Sequence, residues 1–329
     1  MKTLINILKK HKQITGKTSG IAEKVYFDRN SVKLWHPNYI LEVSTAYHEN
    51  LNALYGSADI PLTVAELTSN LPITISEKEC FPVNSVLPGT CQHLMSVDPL
   101  QLAQVINYIY SAMAKQDVRY YLNGICLELN ADSPRLIATD GHRMHWQDVN
   151  VDTQNYNLTG SQYIIPRDCI SMIQLILKTD KARIGVTLSE DKKHITFYGD
   201  GWRMIVSLVD GRFPDYRRVI PTDKNHVANM TAQQVAEAIK IVKQCQTIGK
   251  AKKEKWVTCG LLIKDNQASF MPVNQLPIEN EVYSISAFEC TYLLDTLANC
   301  KEGAQLSAQY QINSSLLVND SMVVMPVRL

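Results

Sequence analysis

The chain has 329 residues and a formal net charge of +1, with 45% hydrophobic and 20% charged residues. This balance is typical of a globular protein, and the length allows two or three domains. The near-neutral charge does not by itself indicate a nucleic-acid binder, and no run approaches the 18 consecutive apolar residues of a membrane span. Residues 1–10 have no sustained apolar core, so we expect them to belong to the fold and not to a signal peptide.

Two amphipathic helices are predicted at residues 98–116 and from residue 231 onward, and residues 4–12 form a shorter example. Asp98 and Thr231 are favourable N-caps, and apolar residues then recur at helical spacing. A helix of this type near the start of each third of the chain indicates a repeated organisation.

A second element also recurs, in which a short strand leads through a polar or proline signal into an apolar helix. Its helices are predicted at residues 64–71, 170–177 and 287–297, and the strands before them are 165 − 60 = 105 and 285 − 165 = 120 residues apart. Short β-rich runs lie between the helices, at residues 195–198, 204–208 and 261–263. We therefore predict an α+β fold of three similar domains, with two helices packed on sheet in each. The predicted domains are residues 1–91, 92–221 and 222–329.

Eight cysteines are spread through the sequence without a C-x-x-C pair. Zinc sites need closely spaced ligand pairs, so we expect no structural metal and no cofactor. Buried thiols in a reducing cytoplasm are the expected state of these residues.

The run around Asp140 and His142 allows two interpretations. The two side chains could serve as a base and its orienting partner, whereas an Asp-Gly pair after the strand at residues 136–138 is typical of a turn. The sequence contains no G-x-S-x-G, no H-E-x-x-H and no P-loop. We therefore expect that the protein is not an enzyme.

Two kinds of basic segment could face nucleic acid. Arg119 stands beside Tyr120 and Tyr121, a pattern suited to phosphate contact and base stacking, although the same run could be an ordinary strand. Lysines also cluster at the start and late in the chain, where they form either a solvated face or a face toward phosphate. They are Lys9, Lys10, Lys12, Lys17, Lys250, Lys252, Lys253 and Lys255.

The run at residues 323–329 is apolar and contains a proline. Such a tail is either a strand tucked into a core or one wall of an apolar groove. Taken with the run at residues 138–144, the pattern favours the groove.

Four runs, residues 117–124, 138–143, 210–221 and 323–329, occur in the order found in a known family. Through them the chain resembles the bacterial DNA polymerase III beta subunit, the sliding clamp, from about residue 92 to the end. The resemblance implies a ring-forming clamp fold of three domains, assembled as a head-to-tail homodimer around duplex DNA. It also implies a processivity factor of the cytoplasm, associated with the nucleoid, that tethers partners to DNA without reading its sequence.

The implied partners are DNA polymerase subunits, the clamp loader and repair proteins, which insert peptides rich in Gln, Leu and Phe into a groove. The groove residues that the resemblance assigns to the second domain are Leu122, Thr139, Gly141, His142, Arg143, Met144, Pro214, Arg218 and Val219. Those that it assigns to the third domain and tail are Ser315, Val323, Met325, Pro326, Val327, Arg328 and Leu329. The implied DNA-binding residues are Gln116, Arg119, Tyr120, Tyr121 and Arg167.

The first 91 residues match this family poorly, and the predicted first domain is shortened. The strands expected after residue 71 are reduced to residues 73–76 and a segment around residues 80–83. An edge strand pairs through backbone hydrogen bonds, so its loss would weaken the dimer. The partner edge is expected near residues 257–263. The alternative to a clamp is a ring-deficient module that keeps the groove and either sequesters clamp-binding proteins or pairs with another clamp subunit.

Overall fold

The structure is a computed structural model of the chain. It describes residues 2–15, 24–28, 31–44, 60–63, 90–151, 153–154, 160–178, 180, 182–277, 284–309 and 314–327. By Cα proximity the chain divides into two compact units. The first unit comprises Met1–Asn107, Gly124–Leu136 and Asp148–Arg212, and the second unit comprises Tyr108–Asn123, Ile137–Gln147 and Phe213–Leu329. The three predicted domains remain a prediction beside these two units.

The described residues form helices and antiparallel strands, as an α+β fold requires. The helices are α1 (Lys2–Thr15), α2 (Pro99–Tyr110), α3 (Arg167–Leu177), α4 (Ala232–Ala251) and α5 (Cys290–Leu297). The strands up to residue 166 are β1 (Lys24–Asp28), β2 (Ser31–His36), β3 (Tyr39–Ser44), β4 (Ile60–Thr63), β5 (Cys91–Val97), β6 (Gly124–Leu129), β7 (Arg135–Thr139), β8 (Arg143–Asp148), β9 (Thr153–Gln154) and β10 (Ser161–Pro166). The later strands are β11 (Ile184–Ser189), β12 (His194–Gly199), β13 (Trp202–Ser207), β14 (His226–Thr231), β15 (Thr258–Lys264), β16 (Gln267–Met271), β17 (Ser284–Glu289), β18 (Gly303–Ala308), β19 (Leu316–Val318) and β20 (Met322–Val324).

The predicted caps begin their helices. Asp98 precedes α2, and its Oδ1 accepts a hydrogen bond of 2.9 Å from the backbone N–H of Gln101. Thr231 precedes α4 and forms a reciprocal capping box with Gln234. Each cap satisfies backbone donors that a helix start leaves without an intrahelical acceptor.

The first unit is built on a nine-stranded antiparallel sheet in the order β4-β1-β2-β3-β13-β12-β11-β5-β9. Strand β13 joins the two halves of the sheet, with Ile205 opposite Ile40 and Met204 opposite Leu41. Consecutive residues of a strand point to opposite faces, and all four of these side chains are buried, so both faces of the sheet are covered here. Helix α1 packs against α3 in the same unit.

In the second unit, β8, β20, β19, β18 and β14 are antiparallel neighbours in that order. A separate three-stranded sheet has the order β16-β15-β17. Val242 from α4, Leu293 from α5 and Leu306 from β18 belong to one buried apolar cluster. The two helices cover this core, which also includes Met322 and Val324 of β20. Strand β20 pairs with β8, and we call these two strands the frame.

Three predictions about elements are wrong. Helix α2 ends at Tyr110 and not at Gln116, because the Ser111 carbonyl accepts a hydrogen bond from the Arg143 guanidinium and Gln116 adopts a positive φ of 56°. Helix α5 begins at Cys290 and not at residue 287, because Glu289 is still extended and caps the helix through the N–H of Tyr292.

The third error concerns the predicted sheet edge at residues 257–263. This segment lies in β15, which pairs with β16 on one side and β17 on the other. Its buried residues run almost continuously from Cys259 to Ile263, which is typical of a central strand. The predicted helix at 64–71, the predicted strands at 73–76 and 80–83, and Lys17 lie outside the described residues.

Six of the seven described cysteines are buried, and Cys91 is exposed. Burial raises the pKa of Cys290 to about 12 and that of Cys300 to about 11, so both thiols stay protonated near neutral pH. Within the described ranges, no three His, Cys, Asp or Glu side chains are grouped in a way that could hold a metal ion. No helix in the same ranges is long and apolar enough to cross a membrane.

Candidate functional site

A tight turn joins β7 to β8 in the second unit. Asp140 Oδ1 accepts hydrogen bonds from the N–H groups of His142 (2.9 Å) and Arg143 (3.0 Å), and Thr139 Oγ1 donates to the Arg143 carbonyl. Gly141 has φ +86°, and a Cβ there would lie 2.8 Å from Arg119 Nη1. The Asp-Gly pair thus forms the predicted turn, and the Asp140 carboxylate is engaged by the backbone and not by the His142 ring.

Arg143 is a buried cation within this frame. Its Nη1 lies 2.6 Å from Asp295 Oδ2 and its Nε lies 3.2 Å from Asp140 Oδ2, while Nη2 donates to the Ser111 carbonyl. The guanidinium also lies over the Tyr292 ring at 4.8 Å. A buried charge with this many partners braces the turn against α5.

The C-terminal run forms a wall beside the turn. Val323 and Val324 are fully buried in β20, where Val323 is opposite Met144 and Val324 is opposite Arg143. The Met325 N–H then donates to the His142 carbonyl at 2.8 Å. The run was expected to be either a strand in a core or one wall of a groove. It is divided between the two, because Val324 belongs to the core whereas Met325 lines a groove.

Two short 3₁₀ turns complete the groove. One spans Tyr120–Leu122 and buries Leu122, and the other spans Tyr216–Val219 and buries Tyr216. The predicted strand alternative for the first segment is therefore wrong at residues 120–122. A 3₁₀ turn places neighbouring side chains on different sides, so Leu122 points inward while Tyr120 is 56% exposed.

Together these elements line an open groove with a volume of about 180 Å³. Most of its walls are apolar, and a few polar groups lie at its margin. The predicted groove residues that line it are Leu122, Thr139, Gly141, Arg143, Met144, Pro214, Val219, Val323 and Met325. Those that lie outside its lining are His142, Arg218, Ser315, Pro326 and Val327, and residues 328–329 lie outside the described residues.

The structure adds four residues to the lining. Arg119 and Tyr121, which the resemblance assigned to DNA, line the groove, as do Asp215 and Tyr216. The sequence offered one signal for Tyr216, because this tyrosine lies between Pro214 and Val219, which the resemblance already assigned to the groove. Nothing in the sequence indicated that Arg119 would lie across Gly141.

Arg119 is held in place by its neighbours. Its Nε and Nη2 donate to the two carboxylate oxygens of Asp117 at 3.0 and 2.7 Å, and Nη2 also donates to the Asp140 carbonyl at 3.1 Å. Hydrogen bonds from Arg119 lower the pKa of Asp117 to about 2, so the pair stays ionised at neutral pH. The Arg119 side chain is 45% exposed, which leaves it accessible to a ligand as well.

The other predicted DNA-binding residues are exposed or half-buried. Gln116 and Tyr120 are exposed on the loop after α2, and Arg167 is the first residue of α3 in the first unit. Their role toward DNA remains a prediction.

Comparison with known proteins identifies a family for the chain. A family model described as the DNA polymerase III beta subunit, central domain, matches residues 96–215. The beta sliding clamp of Pseudomonas aeruginosa is 31% identical over 264 residues, which cover 76% of this chain and 69% of the relative. The beta sliding clamp of Escherichia coli is 29% identical over 245 residues, which cover 69% of this chain and 63% of the relative.

Solved structures show the same fold. The DNA polymerase sliding clamp of Pseudomonas aeruginosa, determined with a ligand, has a TM-score of 0.77 at 25% identity and covers 100% of this chain and 98% of that one. The polymerase III beta of Caulobacter crescentus has a TM-score of 0.70 at 18% identity and supports the fold alone. The fold and these likenesses define a DNA clamp of the bacterial replicative class. The chain belongs to the beta sliding clamp family.

Proposed function

We propose that the protein encircles duplex DNA as a head-to-tail homodimer and tethers polymerases and repair proteins through the groove of the second unit. The observation that carries this proposal is the convergence of the β7–β8 turn, the two 3₁₀ turns and the C-terminal run on one apolar groove. The shared family supports the clamp, and the groove supports the tether. Tethering raises the local concentration of a partner at the template without any chemistry by the ring itself.

The groove suits a short peptide with aliphatic or aromatic anchors. Leu122, Met144 and Val323 offer apolar surface, and Met325 is a flexible side chain that adapts to different anchors. Thr139 and the backbone at Gly141 supply polar groups at the margin. These groups fix the orientation of a bound peptide and contribute less to its affinity than the apolar walls. Partner segments rich in Gln, Leu and Phe, including those of polymerase subunits, repair proteins and the clamp loader, have this chemistry.

Toward DNA we propose weak contacts to the phosphate backbone that allow sliding. The exposed Tyr120 and Gln116 lie on one loop, and Arg167 is the first residue of a helix, from which its side chain would reach phosphate.

A protein with this role acts at the chromosome, so the proposal includes the cytoplasm and the nucleoid as its location. It also includes the absence of enzymatic activity, since Asp140 and His142 are engaged in the turn and its aromatic neighbours.

Replacing Met325 tests the groove directly. Met325→Ala removes one wall of the groove but leaves the β20 pairing intact, so a fluorescein-labelled peptide with Gln, Leu and Phe anchors should bind at least about tenfold more weakly by anisotropy. Met271→Ala is the matched control, because Met271 is a half-buried methionine of β16 in the same unit and does not line the groove. Equal peptide affinity of the Met325 variant and the wild type would refute the groove assignment.

A further inference from the structure

One basic segment lies close to the groove without belonging to it. We call residues 250–255 the lysine turn. It contains Lys250, Lys252, Lys253 and Lys255 with Glu254 as its only acid, so four positive charges and one negative charge give a net charge of +3. All of these side chains are exposed, and none of the ion pairs found among the described residues involves the four lysines.

The turn is a folded element. The Lys252 N–H donates to the Ile248 carbonyl, and the Glu254 N–H donates to the Gly249 carbonyl, both at 3.1 Å. A Cβ at Gly249 would lie 2.6 Å from Val257 Cγ1, so the glycine allows the chain to fold back closely over the end of α4. The Val257 carbonyl then accepts from the Cys290 N–H at 2.8 Å, which fixes the segment to the start of α5.

This fold-back places Trp256 beside the groove. Trp256 is 44% exposed, and its ring centroid lies 5.9 Å from that of His142. The His142 ring stacks on Tyr292 with centroids 5.5 Å apart and planes 12° apart. His142 follows Gly141 of the groove, and its carbonyl accepts from the Met325 N–H. We call Trp256, His142 and Tyr292 the aromatic ledge, and it leads from the groove margin to the lysine turn.

The position of the lysines argues for a ligand. The helix dipole stabilises a cation in the last turn of a helix, which accounts for Lys250 at the end of α4. The dipole also favours Lys252, the C-cap of α4, but it falls off within one turn and does not account for Lys253 and Lys255. A cluster of exposed like charges beside an exposed tryptophan is complementary to an acidic segment of a bound partner.

We propose that the lysine turn binds an acidic stretch that flanks the apolar anchor of groove-binding peptides. The inference rests on the proposed function of the groove and adds the chemical class of the neighbouring partner segment. The ledge gives the path between the groove and the lysine turn, and the lysines select carboxylates that lie beyond the anchor. Partners whose anchor is followed or preceded by acidic residues are therefore preferred over partners with neutral or basic flanks.

The test uses the full-length protein and synthetic fluorescein-labelled peptides that share one Gln-Leu-Phe anchor. The flank carries three glutamates, three serines or three lysines, and each flank is placed at either end of the anchor. We expect one glutamate-flanked peptide to bind about tenfold more tightly than its serine counterpart at low salt, and we expect this gain to shrink at high salt. The lysine-flanked peptide should bind more weakly than the serine peptide.

Two variants locate the effect. The triple variant Lys252→Ser, Lys253→Ser, Lys255→Ser should lose the glutamate gain while its affinity for the serine peptide stays unchanged. The control Lys240→Ser, Lys243→Ser removes two exposed lysines from the body of α4 and should keep the gain.

The outcomes separate this inference from the function beneath it. If the serine peptide binds but glutamates add nothing, or if the triple variant keeps the gain, the acidic-flank proposal is overturned and the groove stands. If no peptide binds the wild type, the groove itself fails. If the triple variant binds all peptides like the wild type but has lost affinity for duplex DNA, the lysines face phosphate and the proposal is overturned.

Discussion

Arg143 shows how a residue in a binding motif can act from inside the protein. The resemblance places it among peptide-contacting residues, yet it is only 8% exposed and is bound by Asp140, Asp295 and the Ser111 carbonyl. Its main effect is therefore on the position of the turn and the groove wall. Arg218, assigned to the same groove, has an exposed side chain and pairs with Asp215 at the surface.

We predict that Arg143→Ala lowers the free energy of unfolding by about 2–3 kcal/mol, because it leaves two carboxylates without their cation. This loss of stability is smaller than that for a fully buried ion pair, because the Asp295 side chain is 39% exposed to solvent. Arg218→Ala is the control and should change the free energy by less than about 0.5 kcal/mol. Urea unfolding of both variants measures the difference, and equal stability would show that Arg143 does not brace the frame.

His145 gives a pH-dependent test of the same frame. It is fully buried in β8 between the Tyr108 carbonyl and Thr296 Oγ1, each 3.2 Å from a ring nitrogen. Burial lowers the pKa of His145 to about 4, with Arg143 as a smaller contribution in the same direction. In the unfolded chain its pKa returns to about 6.5.

Between pH 6.5 and 4 the unfolded chain therefore binds a proton at His145 that the folded chain does not bind. Stability falls as pH falls through this window, by up to about 3 kcal/mol in total, and this contribution is constant above and below it. His145→Gln should flatten the dependence of the urea midpoint on pH. A wild-type slope retained in the His145 variant would contradict the assignment.

At the scale of elements, the loop after α2 divides its side chains between two tasks. Tyr120 is exposed whereas Tyr121 lines the groove, although the two rings contact each other edge to face at 5.7 Å. We predict that Tyr120→Ala weakens retention on duplex DNA and spares peptide affinity, and that Tyr121→Ala weakens peptide affinity. Filter binding and anisotropy on both variants separate the two effects, and a reversed pattern would mean that the loop is wrongly assigned.

Several elements followed directly from the sequence. Asp98 and Thr231 each carry a polar oxygen that caps a helix, and this local chemistry does not depend on the rest of the fold. The end of α2 could not be predicted in the same way, because the Ser111 carbonyl is taken by Arg143, which is 32 residues away in the chain.

The candidate site was predictable only in part for a related reason. The resemblance identified the motifs that meet at the groove, but it could not distinguish Met325, which lines the groove, from Val327, which pairs with Ala287. The central position of β15 depends on β16 and β17 pairing on its two sides, which no pattern within residues 257–263 encodes. Tertiary partners decided each of these cases.

At the scale of the whole molecule, the proposal requires a closed ring. The groove and the loop after α2 are properties of one chain, and a ring-deficient module would keep both. The nine-stranded sheet of the first unit begins at β4, where the described chain has a short strand that includes Pro61, a residue suited to sheet edges. Ring closure therefore has to be measured in solution.

Light scattering across a range of protein concentrations tests the central claim most directly. One chain has a mass of 37.1 kDa, and a head-to-tail ring predicts a species of twice that mass that persists on dilution. A protein that stays at 37.1 kDa at every concentration would contradict the ring. It would leave the alternative of a groove-bearing module that sequesters clamp-binding proteins or joins a different clamp subunit.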